Sequence, residues 1–356
     1  MSNSRHALQK QKVKKRRRRI TVFILVPIFL LMISAVTYGV FLYNKAQTTV
    51  ADSYKPVERE TPKRVASADT ELENTSILII GVDDSESRGF ENSSRSDALM
   101  VATFNKKAKS VKLLSIPRDS YVYIPKLDRK DKITHAHANG GVATTIATVE
   151  ELLEIPIDFY VKVNFNAFID VVDALGGIEA EVPYTFSEQN SKDKAGAITL
   201  RKGLQELDGE EALALARTRK KDNDIERGKR QQEILQAMIK KAISVGSISK
   251  YGDVIEAVGD NMQTDLSFNQ MKSFFNYASE GTSLDIESLT LEGKDLWLEN
   301  KKGQNVYYYD LDDEHLSEVQ STLKTHLQVE NNLATEDDEE ATDEEGLKYQ
   351  AKSDED

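Results

Sequence analysis

The chain has 356 residues, 39% of them apolar and none a cysteine, which allows an anchor plus one large or two small domains and excludes disulfides, a thiolate nucleophile and cysteine-ligated zinc. Charge is spread unevenly. Residues 1–19 hold nine Lys or Arg and no acid, and residues 330–356 hold twelve acids against two lysines. Removing that +9 and −10 from the overall −12 leaves −11 for residues 20–329, an acidic body that excludes a general nucleic-acid binder.

Ile20 to Tyr43 (ITVFILVPIFLLMISAVTYGVFLY) carries no charge across 24 residues. About 20 apolar residues suffice to span a bilayer. Tyr38 and Tyr43 fall where interfacial aromatics sit, and the preceding KVKKRRRR run stays on the cytoplasmic side. The run is too long for the apolar core of a cleavable signal peptide, and YNKAQTTV is a poor cleavage site. The expectation is a basic cytoplasmic segment (1–19), an uncleaved single-pass type II membrane helix (20–43), and everything after it outside the cell. Residues 44–75, polar and holding Pro56 and Pro62, read as a stalk.

Regular pattern begins at Ser76. Residues 76–83 (SILIIGVD), 97–105 (DALMVATFN) and 111–119 (VKLLSIPRD) read as strands, the last two antiparallel across the turn KKAKS. THAHANGG reads as a loop, in which His135 and His137 lack a third zinc ligand. Residues 142–155 have helical spacing, 159–165 alternate as a strand, and 166–177 read as a helix with Asn166 near its N-cap. A further strand is expected over 178–183 and a loop over 184–203. Asp208 and Glu211 form a capping box for the helix EEALALARTR, and a longer helix starts near Gly228. A helix at 269–277, strands at 286–291 and 306–311 and a helix at 314–327 are expected to complete the same sheet. Interleaved strands and helices indicate a layered α/β domain over residues 76–328, with a core at 76–245 and an acidic disordered tail at 329–356.

The chemistry lies in the polar residues at the strand ends. Asp83 ends the first strand, Arg95 and Asp97 open the second, and Arg118 and Asp119 end the third. Pairing residue 104 with 112 sets Asp97 opposite Asp119 and gathers the five at one sheet edge. Arg217 and Arg219 close one helix, and Arg227, Arg230 and Gln231 open the next, with its N-terminus at Gly228 adding attraction for anions. Guanidinium groups bind phosphate oxygens bidentately and keep their charge. Carboxylates beside them suggest a divalent cation such as magnesium, held by one or two acids plus substrate oxygens. No dinucleotide loop, P-loop or serine-hydrolase motif accompanies them.

The blocks ILIIGVDD, RSDALMVATFN, VKLLSIPRDSYVYIP, DKITHAHANGG, VEELLEIPIDFYVKVNF, FIDVVDALGGIEAEVP, GLQELDGEEALALARTR and DIERGKRQQEIL resemble the LytR-CpsA-Psr family from about Ser76 to Val245. The resemblance implies an α/β/α domain with a central mixed sheet and a hydrophobic groove for a polyprenyl chain. It implies a magnesium-assisted (or manganese-assisted) transferase that moves an anionic glycopolymer, such as wall teichoic acid or capsular polysaccharide, from undecaprenyl pyrophosphate onto peptidoglycan as a phosphodiester. By the same resemblance Asp83 and Asp97 are metal-side carboxylates, and Arg95, Arg118, Arg217, Arg219 and Arg227 are the pyrophosphate clamp. Arg230 and Gln231 match the start of the following helix. Asp119 or Asp83 would accept the hydroxyl proton, with Arg118 beside them. Water in place of the glycan would give polyprenyl pyrophosphate hydrolysis. The apolar faces of 142–155 and 229–243 are the expected groove walls. The chain departs from the family pattern at Asp84 and at THAHANGG.

Overall fold

A computed structural model describes residues 41, 44, 47–51, 53–59, 64, 74–82, 96–221, 223–245, 261–279, 284–300 and 302–329. It divides into two compact units, Met1–Thr49 and Val50–Asp356. Most of the expected membrane helix, the basic head and the tail from 330 lie outside the described residues. Among the described residues no helix is long and apolar enough to cross a membrane.

The second unit is built on a six-stranded mixed sheet. β1 (Thr75–Val82) lies at its centre, antiparallel to β2 (Ser96–Asn105) and parallel to β6 (Phe159–Val163). β2 pairs antiparallel with β3 (Ser110–Ser115). The edges are β11 (Met262–Thr264), antiparallel to β6, and β12 (Asp285–Thr290), parallel to β3. β1 is apolar at nearly every position because both sheet faces are covered. Period-two alternation sends Leu78, Ile80 and Val82 to one face and Ile77, Ile79 and Gly81 to the other.

The first face packs on α1 (Thr134–Leu153) and α6 (Asp313–Leu327), with Ile146, Val149, Leu153, Val319, Leu323 and Leu327 in one core. On the second face lie α2 (Phe165–Ala174), α3 (Gly209–Arg217), α4 (Asp224–Val245) and α5 (Phe268–Ser279), giving the α/β/α layering. Three short two-stranded ribbons stand apart from the main sheet. They are β4 (Tyr121–Ile124) with β5 (Arg129–Lys132), β7 (Ile178–Val182) with β10 (Gly203–Leu207), and β8 (Phe186–Glu188) with β9 (Ile198–Leu200). A fourth pairs β13 (Gly293–Glu299) with β14 (Asn305–Leu311), so the C-terminal strands do not all complete the main sheet.

Several local expectations shift. Phe104 pairs with Val111 and Thr103 with Lys112, one residue from the expected register. β3 ends at Ser115, and residues 116–119 turn away, so Asp97 and Asp119 are not ladder partners. THAHANGG is helical and opens α1, which breaks at Gly140 and Gly141; Gly141 takes φ +63°, a conformation that suits glycine. Asn164, not Asn166, caps α2 by accepting from Ala167 N at 2.9 Å. The Asp208–Glu211 capping box forms as expected. The segment expected as a stalk is in part built into the domain: Lys55 N donates to Thr264 O (2.8 Å), Tyr160 Oη to Lys55 O (2.6 Å), and Arg64 Nε to Asp158 Oδ1 (2.8 Å). Arg59 donates to Ile157 O and pairs with Asp265 at 3.4 Å. The folded unit therefore begins at Val50 rather than at Ser76.

Candidate active site

Four chain segments meet at one end of β2. Asp97 opens that strand, and the turn after β3 presents Arg118 and Asp119. The last turn of α3 and the residues after it carry Arg217 and Arg219. The first turns of α4 bring Asp224, Arg227 and Gln231. α4 starts at Asp224 and not at Gly228, because Asn223 Oδ1 accepts from Ile225 N (3.1 Å) and Glu226 N (3.0 Å). Gly228 sits inside the helix where it crosses β3. A Cβ there would lie 2.5 Å from Ser115 Oγ, so glycine lets α4 approach the sheet and places Arg227 over the mouth.

The polar groups interlock. Arg118 Nη1 donates to Asp97 Oδ1 at 2.7 Å, while its Nε lies 3.7 Å from Asp119 Oδ2 and 3.6 Å from Asp224 Oδ2. Asp224 also faces Arg219 and Arg227, each at 3.4 Å, and Arg227 Nη2 donates to Asp97 O at 3.3 Å. Lys132, on β5, pairs with Asp119 at 2.7 Å. Burial lowers the Arg118 pKa, but Asp97, Asp119 and Asp224 outweigh it and hold the guanidinium above its usual value. Arg227 moves the other way, because burial outweighs the help of Asp224 and Arg219 and Arg118 repel it. Burial would raise the Asp119 carboxyl, but the hydrogen bond and charge of Lys132, with Arg118, hold it below the carboxylate range.

Two features suit the cluster to an anion. Arg118, Arg217, Arg219, Arg227 and Lys132 supply five positive charges against three carboxylates, in a body that is otherwise acidic. In addition, Arg118 Nε, Arg217 Nη1 and Arg227 Nε are buried and find no hydrogen-bond acceptor among the described residues. A buried donor left unpaired costs about 1–3 kcal/mol, and an anion's oxygens would remove that cost. Arg217 is held by the Phe165 ring, whose centroid is 4.5 Å from its guanidinium carbon.

Behind the mouth a cavity of about 810 Å³ runs between the second sheet face and the helices. Its floor includes Ile77, Ile79, Met100 and Phe104, and its wall includes Phe168, Leu213, Ile234, Leu235 and Met238. α4 thus lines it as expected. α1, the other expected wall, packs on the opposite sheet face and does not. Asp97, Arg118, Arg217, Arg219, Arg227 and Gln231 all border the cavity. Asp119 and Arg230 do not. Arg230 donates to Leu215 O and Thr218 O, and Gln231 Nε2 to Ala216 O at 3.2 Å, so both tie α4 to the last turn of α3. Asp83 and Arg95 lie outside the described residues. Two functional partners went unread in the sequence, Asp224 and Lys132. The signal for Asp224 was its i, i+3 spacing to Arg227.

Among the described residues no group of three or more His, Cys, Asp or Glu side chains could hold a metal by itself. The oxygen chemistry at the mouth still suits a hard cation shared with a substrate, because Asp97 offers a carboxylate at the cavity edge.

Fold and site define an α/β/α protein that joins an arginine-rich mouth to an apolar cavity. The chain belongs to the LytR_cpsA_psr family, whose sequence profile matches residues 40–325. It is 38% identical over 325 residues (90% of this chain, 98% of the relative) to the polyisoprenyl-teichoic acid–peptidoglycan teichoic acid transferase TagT of Bacillus subtilis. Among solved structures it resembles TagT bound to LIIa-WTA, with 40% identity, a TM-score of 0.63 and coverage of 77% of this chain and 100% of that one. It also resembles the LytR-CPS2A-psr family protein YwtF (TagT) with bound octaprenyl pyrophosphate lipid, with 37% identity, a TM-score of 0.59 and coverage of 77% and 100%.

Proposed function

We propose that the protein is a membrane-anchored phosphotransferase that moves an anionic glycopolymer of the teichoic acid type from a polyprenyl pyrophosphate carrier onto peptidoglycan. One observation carries this reading: Arg118, Arg217 and Arg227 each keep a buried guanidinium N–H without an acceptor among the described residues, and all three line an apolar cavity. A polyprenyl pyrophosphate fits both parts, its isoprenoid along Ile79, Met100 and Met238 and its phosphates on the arginines. The relatives named as teichoic acid transferases, and the one solved with octaprenyl pyrophosphate, support the same substrate class.

In this reading the acceptor hydroxyl oxygen attacks the phosphorus next to the sugar. The bond from that phosphorus to the bridging oxygen breaks, and polyprenyl phosphate leaves. Arg118, Arg217 and Arg227 bind and orient the pyrophosphate and stabilise the charge that develops on the leaving phosphate. Asp224 keeps Arg118, Arg219 and Arg227 aligned. Asp119, paired with Lys132, holds Arg118. Asp119 or Asp83 accepts the hydroxyl proton. Asp97 and Asp83 are the proposed ligands of magnesium or manganese, which when bound would neutralise pyrophosphate oxygens. The basic head and the apolar run at 20–43 support a single-pass anchor with the domain outside the cell.

The test is a reaction of the purified chain with lipid-linked polymer, with and without peptidoglycan oligomers. Covalently linked polymer that appears only with the acceptor is the expected product. Release of free polymer at the same rate with or without acceptor would make the protein a hydrolase.

A further inference from the structure

Lys132 links the arginine cluster to a group of aromatic side chains that the proposed reaction has not used. Its ammonium pairs with Asp119 at 2.7 Å and lies 5.8 Å from the Tyr307 ring centroid and 5.6 Å from that of Tyr308. Each tyrosine makes an edge-to-face pair, the two on opposite faces of the ribbon because successive strand residues alternate. Tyr307 meets Trp297 at 5.3 Å, and Tyr308 meets Tyr121 at 4.9 Å, with Lys130 5.8 Å from the Tyr121 ring. The β13–β14 ribbon that carries three of these rings is fixed to the site, because Tyr309 N donates to Asp119 O at 2.9 Å. Tyr307 Oη is itself fixed by Asp295 at 2.9 Å.

Trp297 is 62% exposed, the more notable because it is the only tryptophan of the chain. The ring has no core role, since it reaches solvent from a ribbon outside the main sheet. An aromatic face held open beside a reaction centre suits the axial C–H face of a sugar, which stacks on such rings. Residues 293–313 bear Asp295, Glu299, Asp310, Asp312 and Asp313 against Lys294, Lys301 and Lys302, a net charge of −2. That acidic surface disfavours an anionic lipid headgroup or an anionic polymer, and it leaves an uncharged glycan backbone as the occupant.

We propose that Trp297 and its cross-strand partner Tyr307 form a stacking platform for the amino-sugar strand of the acceptor, beside Lys132. This rests on the reading of the protein as a glycan-accepting transferase, and it places the acceptor on the β13 and β14 side of the mouth, apart from the lipid cavity.

The lone tryptophan supplies its own probe. Titrating the full chain, in neutral detergent, with soluble peptidoglycan oligosaccharide should change Trp297 fluorescence saturably. Trp297→Ala should raise the KM for that acceptor about tenfold. Because Trp297 is exposed, the variant's affinity for polyprenyl pyrophosphate, measured alongside, checks that the fold is intact. Transfer by the wild type combined with an unchanged acceptor KM in Trp297→Ala would overturn the platform and leave the transferase reading standing. Absence of transfer by the wild type would instead overturn the transferase reading. A fluorescence blue shift on anionic phospholipid vesicles, with none on the oligosaccharide, would assign the rings to the membrane and also overturn the platform.

Discussion

Asp224 and Arg227 stand one helical turn apart at the start of α4, with Asp224 Oδ1 3.4 Å from the Arg227 guanidinium and equally far from that of Arg219. The other Asp224 oxygen lies 3.6 Å from Arg118 Nε, so one carboxylate faces three arginines from three chain segments. Without it those cations would repel one another with no substrate present. Asp224→Asn should therefore lower transfer about tenfold to a hundredfold by misplacing the donors. It should lower stability by about 1–3 kcal/mol, because the largely buried Arg227 loses its carboxylate partner. A transfer assay beside a thermal melt checks both figures.

Arg118→Lys keeps a positive charge and loses the planar fork that reaches Asp97, Asp119 and Asp224 together. Transfer should fall by at least about a hundredfold, as it does when one preorganised donor is removed from a charge-stabilising site. Steady-state kinetics on the lipid-linked polymer would show it, and activity near that of the wild type would remove Arg118 from the clamp.

Met238 lines the cavity behind the mouth, on the α4 wall. Met238→Trp should fill the space that the isoprenoid needs. Binding of a long-chain polyprenyl pyrophosphate should be lost, while binding of a short-chain or water-soluble diphosphate should persist. Calorimetric titration of both ligands into the same variant makes the comparison.

Gly228→Ala would force a Cβ to within 2.5 Å of Ser115 Oγ. α4 must then lift from β3, at a cost of about 1–3 kcal/mol in stability. Arg227 moves with it, so denaturant unfolding and transfer should both suffer.

Two buried groups give opposing pH dependences. His326 is bonded through Nδ1 to Thr103 Oγ1 and through Nε2 to Ser110 Oγ, both at 2.9 Å, and burial with nearby Lys112 pushes its pKa down to about 4. Folded protein thus binds fewer protons there than unfolded protein between pH 4 and 6.5, and this contribution is lost as pH falls through that window. Burial pushes Asp265 up to about 6 despite its bond from Tyr160 N and the charge of Arg59. Its contribution is present at low pH and lost as pH rises through 6. Each is on the order of 1–3 kcal/mol. Asp265→Asn removes the compensating group, so its melting temperature should drop more steeply than that of the wild type between pH 6.5 and 4. Parallel profiles would contradict the assignment.

Much of the domain was legible in the sequence because local signals agreed with the fold. The apolar run at 76–82, the capping box at Asp208 and Glu211, and the turn KKAKS each stand where the residues place them. The misreadings have physical causes. Adjacent glycines argued for a loop at THAHANGG, whereas α1 keeps both and breaks there. The polar string DNDIER masks the start of α4, which lies at Asp224 and not near Gly228. Reading the third strand through residue 119, past its end at Ser115, moved Asp119 onto the β2–β3 ladder, when the turn at 116–119 brings Arg118 to Asp97 instead. Which face of the sheet holds the cavity is set by which helices leave a gap, and the apolar stripe of one helix does not reveal that. Lys132 and the Trp297 ribbon join the site only through tertiary contacts far apart in the chain.

The central claim is that Arg118, Arg217 and Arg227 hold a pyrophosphate at the mouth of the apolar cavity. A crystal structure with bound polyprenyl pyrophosphate tests it most directly. The expected result places phosphate oxygens within hydrogen-bonding distance of Arg118 Nε, Arg217 Nη1 and Arg227 Nε, with the isoprenoid running between β1 and α4. A lipid seated with its phosphates away from these three atoms would contradict the account.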